Sequence, residues 1–245
     1  MPETYTLTHT TLGDLPCLFL GREGLRKSAP SIIVLHGLGS YKERLLSTLY
    51  HFAQLGCQAI AFDLRQHGAW LGAERRDSLL QVNYLPTITE IIEGSVADVS
   101  HFVAHLESSA IGIHGISLGG YVTFGALLTE PRITAASVAM GSPDWLTQMR
   151  ESGLRAGNPY YDAVASRNPL DLLPYVYPSR PLLMQHGDLD DVVSVEGVQA
   201  LSARLTPLYR DATENLALEI YHGHGHHYSD EMQARSAAWF QQHLL

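Results

Sequence analysis

The sequence predicts an α/β protein built on a mostly parallel sheet with helices on both faces. Two observations carry that expectation: short apolar runs recur along the chain, and between them lie longer segments that can form helices. A third sets its size, because 245 residues without an internal repeat, low-complexity tract or linker fit one domain spanning 1–245.

Taken in order, YTLTHTTL and LPCLFLG on either side of a Gly13-Asp14 turn signal read as an antiparallel hairpin at the sheet edge. The first central strand is SIIVLH (31–36). Residues 40–55 read as a helix, with Ser40 and Glu43 at capping-box spacing. CQAIAFD (57–63) is the next strand. The stretch 70–87 carries Arg75, Arg76, Asp77 and Asn83 without clean periodicity and reads as an irregular insert. A helix over 88–106, the strand AIGIHG (110–115), a helix over 118–128 and the strand ITAASVAM (133–140) follow. Residues 142–179 hold Trp145, Tyr160, Tyr161, Tyr175, Tyr177 and several prolines, and form the candidate lid. The strands PLLMQHG (181–187) and LALEIYHG (216–223) and a helix over 232–245 complete the series.

Composition narrows the function classes. A net charge of -9 with only 16 scattered Lys and Arg argues against nucleic acid as a partner, since phosphate binding needs clustered basic residues. The opening MPETYTLTHT lacks the basic and apolar regions of a signal peptide, and no run is long enough to cross a bilayer. A cytoplasmic protein with no membrane partner is the expectation. Cys17 and Cys57 sit in apolar runs without metal-knuckle or redox spacing and read as buried free thiols.

Chemistry enters with Gly115-Ile116-Ser117-Leu118-Gly119-Gly120, which follows a strand and precedes a helical run, the context that G-x-S-x-G requires. The glycines let the backbone make a strained strand-to-helix turn that presents Ser117 above the sheet. The plain alternative is a serine capping a helix. A serine nucleophile needs an imidazole to take its proton and a carboxylate to orient that imidazole, in the chain order Ser, Asp or Glu, His. After the strand at 181–187 come Asp188, Asp190 and Asp191, three acids where one is wanted. After the last strand come His222, His224, His226 and His227, and the pattern Gly-x-Gly-His favours His226. Four close histidines can also form a zinc site, but no Cys or carboxylate cluster accompanies them, so no metal is expected.

Acyl transfer builds charge on a carbonyl oxygen, and two backbone N–H groups are placed to meet it: that of Leu118, after the nucleophile, and that of Leu38, in the loop after the first central strand. His36 reads as a support beneath that loop, and Asp63 and Arg65 as ion-pairing residues of a structural turn. Trp145 and Tyr160 are candidate pocket residues, with core packing as the alternative for both.

HGLGS, DLRQHG, GISLGG, HGDLDDVV and GHGHHYSDE occur in this order, and through them the chain resembles the α/β-hydrolase superfamily across nearly its whole length. Within it the chain is similar to small bacterial esterases related to dienelactone hydrolases and to the catalytic domain of prolyl oligopeptidases. The resemblance implies the α/β-hydrolase fold: a mostly parallel eight-stranded sheet in a three-layer α/β/α sandwich, with a small lid insertion at about 142–179. It implies Asp190, just ahead of Val192-Val193, as the acid of a Ser117, Asp190, His226 triad. It further implies no cofactor and a small-molecule acyl ester substrate, cleaved as by a carboxylesterase. Two departures limit the transfer. A dienelactone hydrolase would carry a cysteine where this chain has Ser117, and a prolyl peptidase would carry a propeller for which these residues leave no room. Thioesterase, peptidase or acyltransferase activity on the same triad, and a non-catalytic ligand-binding protein of this fold, are the alternatives.

Overall fold

The computed structural model describes residues 3–68, 70, 73–177 and 179–245. Met1 and Pro2 of the leader reading, 71–72 of the irregular insert and 178 of the candidate lid lie outside the described residues. The strands are β1 (Tyr5–Leu12), β2 (Leu15–Arg22), β3 (Ser31–Leu35), β4 (Gln58–Phe62), β5 (Ile111–Ile116), β6 (Ile133–Ala139), β7 (Leu182–Gly187) and β8 (Leu216–Tyr221). They form one eight-stranded sheet in the order β1-β2-β4-β3-β5-β6-β7-β8. From β4 to β8 every neighbour is parallel, whereas β1 and β2 form an antiparallel hairpin and β2 runs antiparallel to β4. The sheet is therefore mixed, with the antiparallel part confined to one edge.

The helices are α1 (Leu46–Ala53), α2 (Ala73–Val82), α3 (Tyr84–Ala104), α4 (Leu118–Thr129), α5 (Thr147–Glu151), α6 (Pro159–Ala165), α7 (Pro169–Val176), α8 (Glu196–Leu205) and α9 (Asp230–His243). Strand alternation sorts the core into two layers. Ile33 and Leu35 of β3 join the packing against α3, α4, α7 and α8, while Ile32 and Val34 join that of α1 and α9. On the second face a Cβ at Gly112 of β5 would stand 2.8 Å from Phe240, so glycine lets α9 lie close to the sheet. Cys17 and Cys57 are buried free thiols, and burial pushes their pKa values up to about 11 and about 12. No helix among the described residues is long and apolar enough to cross a membrane.

Three elements differ from the sequence reading. Ser40 caps nothing: the chain enters a 3-10 turn at Lys42–Leu45 before α1, and Asp63 Oδ1 accepts the Lys42 N–H at 2.8 Å in place of a local cap. The stretch 70–87 contains α2 and the first turn of α3, which starts at Tyr84 rather than at 88 because Pro86 is tolerated within a first helical turn. Residues 142–179 hold three short helices, α5 to α7, two of them opened by a proline at the first helical position.

Candidate active site

The site is built where β3, β5, β6, β7 and β8 end. At the close of β5 the chain turns into α4 through Ser117, whose φ of 53° and ψ of -116° are unusual for a residue with a side chain. Backbone hydrogen bonds hold this conformation: the Ser117 N–H donates to Ala139 O at 2.9 Å, and the Gly120 N–H to Ser117 O at 2.7 Å. The flanking glycines are sterically required. A Cβ at Gly115 would stand 2.2 Å from Gly119 O, and one at Gly119 would stand 2.4 Å from Leu35 O. The serine does not cap α4, since its side chain makes no capping bond; Oγ lies instead 2.8 Å from His226 Nε2.

His226 comes from the loop after β8, and its Nδ1 lies 2.7 Å from Asp190 Oδ2. Of the three acids after β7, Asp190 is the one brought to the imidazole, and its carboxylate is fully shielded from solvent. Its other oxygen, Oδ1, accepts the Val192 and Val193 N–H groups at 3.0 and 2.8 Å. Burial alone would raise the Asp190 pKa, but these N–H donors and the His226 bond outweigh it and hold the carboxyl below its ordinary value. An ionised Asp190 fixes the His226 proton on Nδ1 and leaves Nε2 free to accept from Ser117. His186 of β7, also buried, approaches Oδ2 at 3.3 Å while its Nε2–H donates to Val193 O at 2.8 Å.

Asp188 laces the two loops together. Its Oδ1 accepts the Gly223 N–H at 2.7 Å and its Oδ2 bonds His222 Nδ1 at 2.9 Å, while the Leu189 N–H donates to His224 O at 2.9 Å. Only one of the two loop glycines needs its freedom: Gly223 has φ +74°, whereas a Cβ at Gly225 would meet nothing closer than 3.7 Å. His224 and His227 stack on each other with ring centroids 4.2 Å apart. Among the described residues no three His, Cys, Asp or Glu side chains are grouped as a metal site would need. Asp191 is exposed.

Leu38 and Leu118 both border the cavity at Ser117, and their backbone N–H groups have no acceptor among the described residues. The loop at 37–39 lies against the serine, since a Cβ on Gly37 would be 3.4 Å from Ser117 Cβ. Two buried imidazoles hold that loop. The Leu64 N–H donates to His36 Nε2 at 3.1 Å, which puts the His36 proton on Nδ1, 2.8 Å from Gly37 O. In the same way the Gly39 N–H donates to His67 Nε2 at 3.1 Å, and His67 Nδ1–H donates to Arg65 O at 2.8 Å. Burial lowers the pKa of both rings, that of His36 to about 4. Asp63 pairs with Lys42 at 2.6 Å and Arg65 with Asp98 at 2.6 Å.

The adjoining cavity holds about 100 Å³ and is walled mainly by apolar side chains: Leu85, Ile88 and Ile92 of α3, Met149 of α5, Val164 of α6, and Trp145. Tyr160 stands behind that wall, its hydroxyl 2.7 Å from Thr89 Oγ1, and Thr89 is the residue that borders the cavity. Sequence reasoning singled out neither His67, His186 nor the lacing role of Asp188. Each acts across 28 residues or more, or through backbone groups, and no short motif marks such contacts.

The sequence pattern of the prolyl oligopeptidase family matches residues 45–245. A curated relative, "Putative esterase YitV" of Bacillus subtilis, is 24% identical over 97% of this chain and 99% of its own. Among solved structures, TT1662 of Thermus thermophilus superimposes with a TM-score of 0.80 at 22% identity, over 97% of each chain. The Pyrococcus furiosus esterase Pf2001 does so with a TM-score of 0.62 at 19% identity, over 99% of this chain and 94% of that one. Both structures share the α/β-hydrolase fold with this chain.

Proposed function

Since the chain belongs to the prolyl oligopeptidase family and is a hydrolase of the α/β-hydrolase fold, we propose that it is a serine carboxylesterase acting on short acyl esters. One observation carries the reading: an unbroken hydrogen-bonded line from a buried carboxylate through an imidazole to a serine hydroxyl, at 2.7 and 2.8 Å, beside an apolar cavity. In this mechanism Ser117 Oγ attacks the ester carbonyl carbon while His226 Nε2 takes the hydroxyl proton, and ionised Asp190 stabilises the resulting imidazolium. The Leu38 and Leu118 N–H groups, without acceptors among the described residues, hold the oxyanion. Collapse expels the alcohol, which takes the proton from His226 and leaves Ser117 acylated. Water, deprotonated by the same imidazole, then attacks the acyl-enzyme and releases the carboxylic acid.

A cavity of about 100 Å³ walled mainly by apolar side chains supports a short acyl group as the acid part of the substrate. The segment 142–179 supplies Asp144, Trp145, Gln148, Met149 and Val164 to that cavity, which supports reading it as the cover of the acyl pocket. The test is labelling with a fluorophosphonate, mass-spectrometric localisation of the adduct, and hydrolysis of p-nitrophenyl butyrate. We expect the adduct on Ser117, and Ser117→Ala to lose at least about 10³-fold in turnover with an unchanged melting profile. An adduct elsewhere, or undiminished turnover in the folded variant, removes the proposal. A thioester and a peptide anilide assayed in parallel separate the leaving groups that the same acyl-enzyme could serve.

A further inference from the structure

Two apolar cavities lie end to end along the cleft between α3 and α4. The first is the cavity at Ser117; the second, of about 290 Å³, opens on the surface and is bordered by Val96 and Ala97 of α3 and Gly125 and Leu128 of α4. Among the described residues Trp145 alone borders both. The two follow one line. Along α3 the bordering residues pass from Ile88 and Ile92 to Val96, and along α4 from Leu118 and Tyr121 to Gly125. At 1.5 Å per residue, Gly125 lies roughly 12 Å down α4 from Ser117.

The indole fills the step between them because residue 125 has no side chain. A Cβ there would stand 2.7 Å from Trp145 Cζ2 and 2.6 Å from Val96 Cγ2. Asn168 Oδ1 fixes the Trp145 backbone N–H at 2.9 Å, but the indole Nε1–H is buried without an acceptor. Packing alone therefore seats the ring.

We infer that Trp145 is the specificity-determining partition of this enzyme: its indole sets the longest acyl chain that fits, and the groove behind it is the space a longer chain enters when the ring is cut back. This rests on the esterase reading above. The ring stands between the two cavities, bordering both, so an acyl chain that reaches it must stop or displace it. The opposite substitution acts from the other side, because a methyl group at position 125 would stand 2.7 Å from the ring and 2.6 Å from Val96 Cγ2, so the ring must shift off α4 within the cleft.

The experiment measures kcat/KM for p-nitrophenyl esters from acetate to laurate with the full-length wild type, Trp145→Ala, Trp145→Phe and Gly125→Ala. Fluorophosphonate labelling counts competent sites in each. We expect Trp145→Ala to raise the laurate-to-butyrate ratio at least tenfold, Trp145→Phe to raise it less, and Gly125→Ala to move the optimum toward acetate. An unchanged ratio in a Trp145→Ala protein that labels on Ser117 overturns the inference and leaves the esterase reading standing. Should Trp145→Ala fail to fold, the Phe and Gly125→Ala variants decide, and an unchanged optimum in both overturns it equally. A wild type that neither labels nor cleaves any ester removes both.

Discussion

Asp190 serves two elements with two oxygens. Oδ1 closes the turn by accepting the Val192 and Val193 N–H groups, and Oδ2 faces His226. Asn in its place can keep the turn only by turning its carbonyl to those N–H groups, which sets its NH2 against His226 Nδ1–H. The imidazole must then move its proton to Nε2, where it can no longer accept from Ser117. We predict that Asp190→Asn lowers kcat by about 10⁴-fold with little change in KM or in the urea midpoint; a fall of less than tenfold would mean that another acid orients the ring. At this scale the sequence was informative where a residue type is chemically obligatory. Ser117 stood out through its glycines and His226 through Gly-x-Gly-His. Among Asp188, Asp190 and Asp191 the residue types alone did not choose, because all three flank the same strand end; the resemblance pointed to Asp190, which is the one the backbone brings to the imidazole.

The strand-to-helix unit of β5 and α4 was legible down to single residues, since its contacts are local. One of its close approaches is to a different strand: Gly119 packs against the carbonyl of Leu35, where β3 runs into the loop bearing Leu38. A methyl group at 119 must push that strand end away. Gly119→Ala is therefore expected to cost about 1–3 kcal/mol in chemical denaturation and to reduce kcat more than it raises KM. Wild-type turnover in that variant would show that the Leu38 N–H plays no part. The helices were less legible than the strands. Buried strands show as solid apolar runs, but the 3-10 turn before α1 depends on Asp63, 21 residues away from Lys42, and no local pattern records that bond. In 142–179, α5 and α6 are five and seven residues long, too short for periodicity to outweigh their prolines and aromatics.

For the molecule as a whole, buried neutral imidazoles set the response to acid. Burial takes His114 of β5, enclosed between Phe52 and Tyr228, down to about 3, and His36 down to about 4. In the unfolded chain both would titrate near the ordinary value of about 6.5. Since the folded values are the lower ones, the unfolded chain binds more protons between the two limits. Stability is then full above about pH 6.5 and falls as the pH drops toward 4. His67 and His186, lowered for the same reason, act in the same direction. We expect the urea midpoint to fall steadily from pH 7 to pH 5, with His36 and His114 each contributing on the order of 1 kcal/mol per pH unit. A midpoint constant over that range would mean that these rings take up protons without opening the fold.

Two separate bonding systems meet at Ser117. One ties the Leu38 loop to residues 64–67 through His36 and His67; the other ties the acid loop to the histidine loop through Asp188. The short helices α5 and α6, which border the cavity, take no part in either. The bonds that position Ser117 and His226 and the side chains that wall the cavity thus fall largely on different stretches of the chain, so Trp145, Gln148, Met149 and Val164 can be exchanged, by selection or by an engineer, like a mould refitted around an unchanging tool.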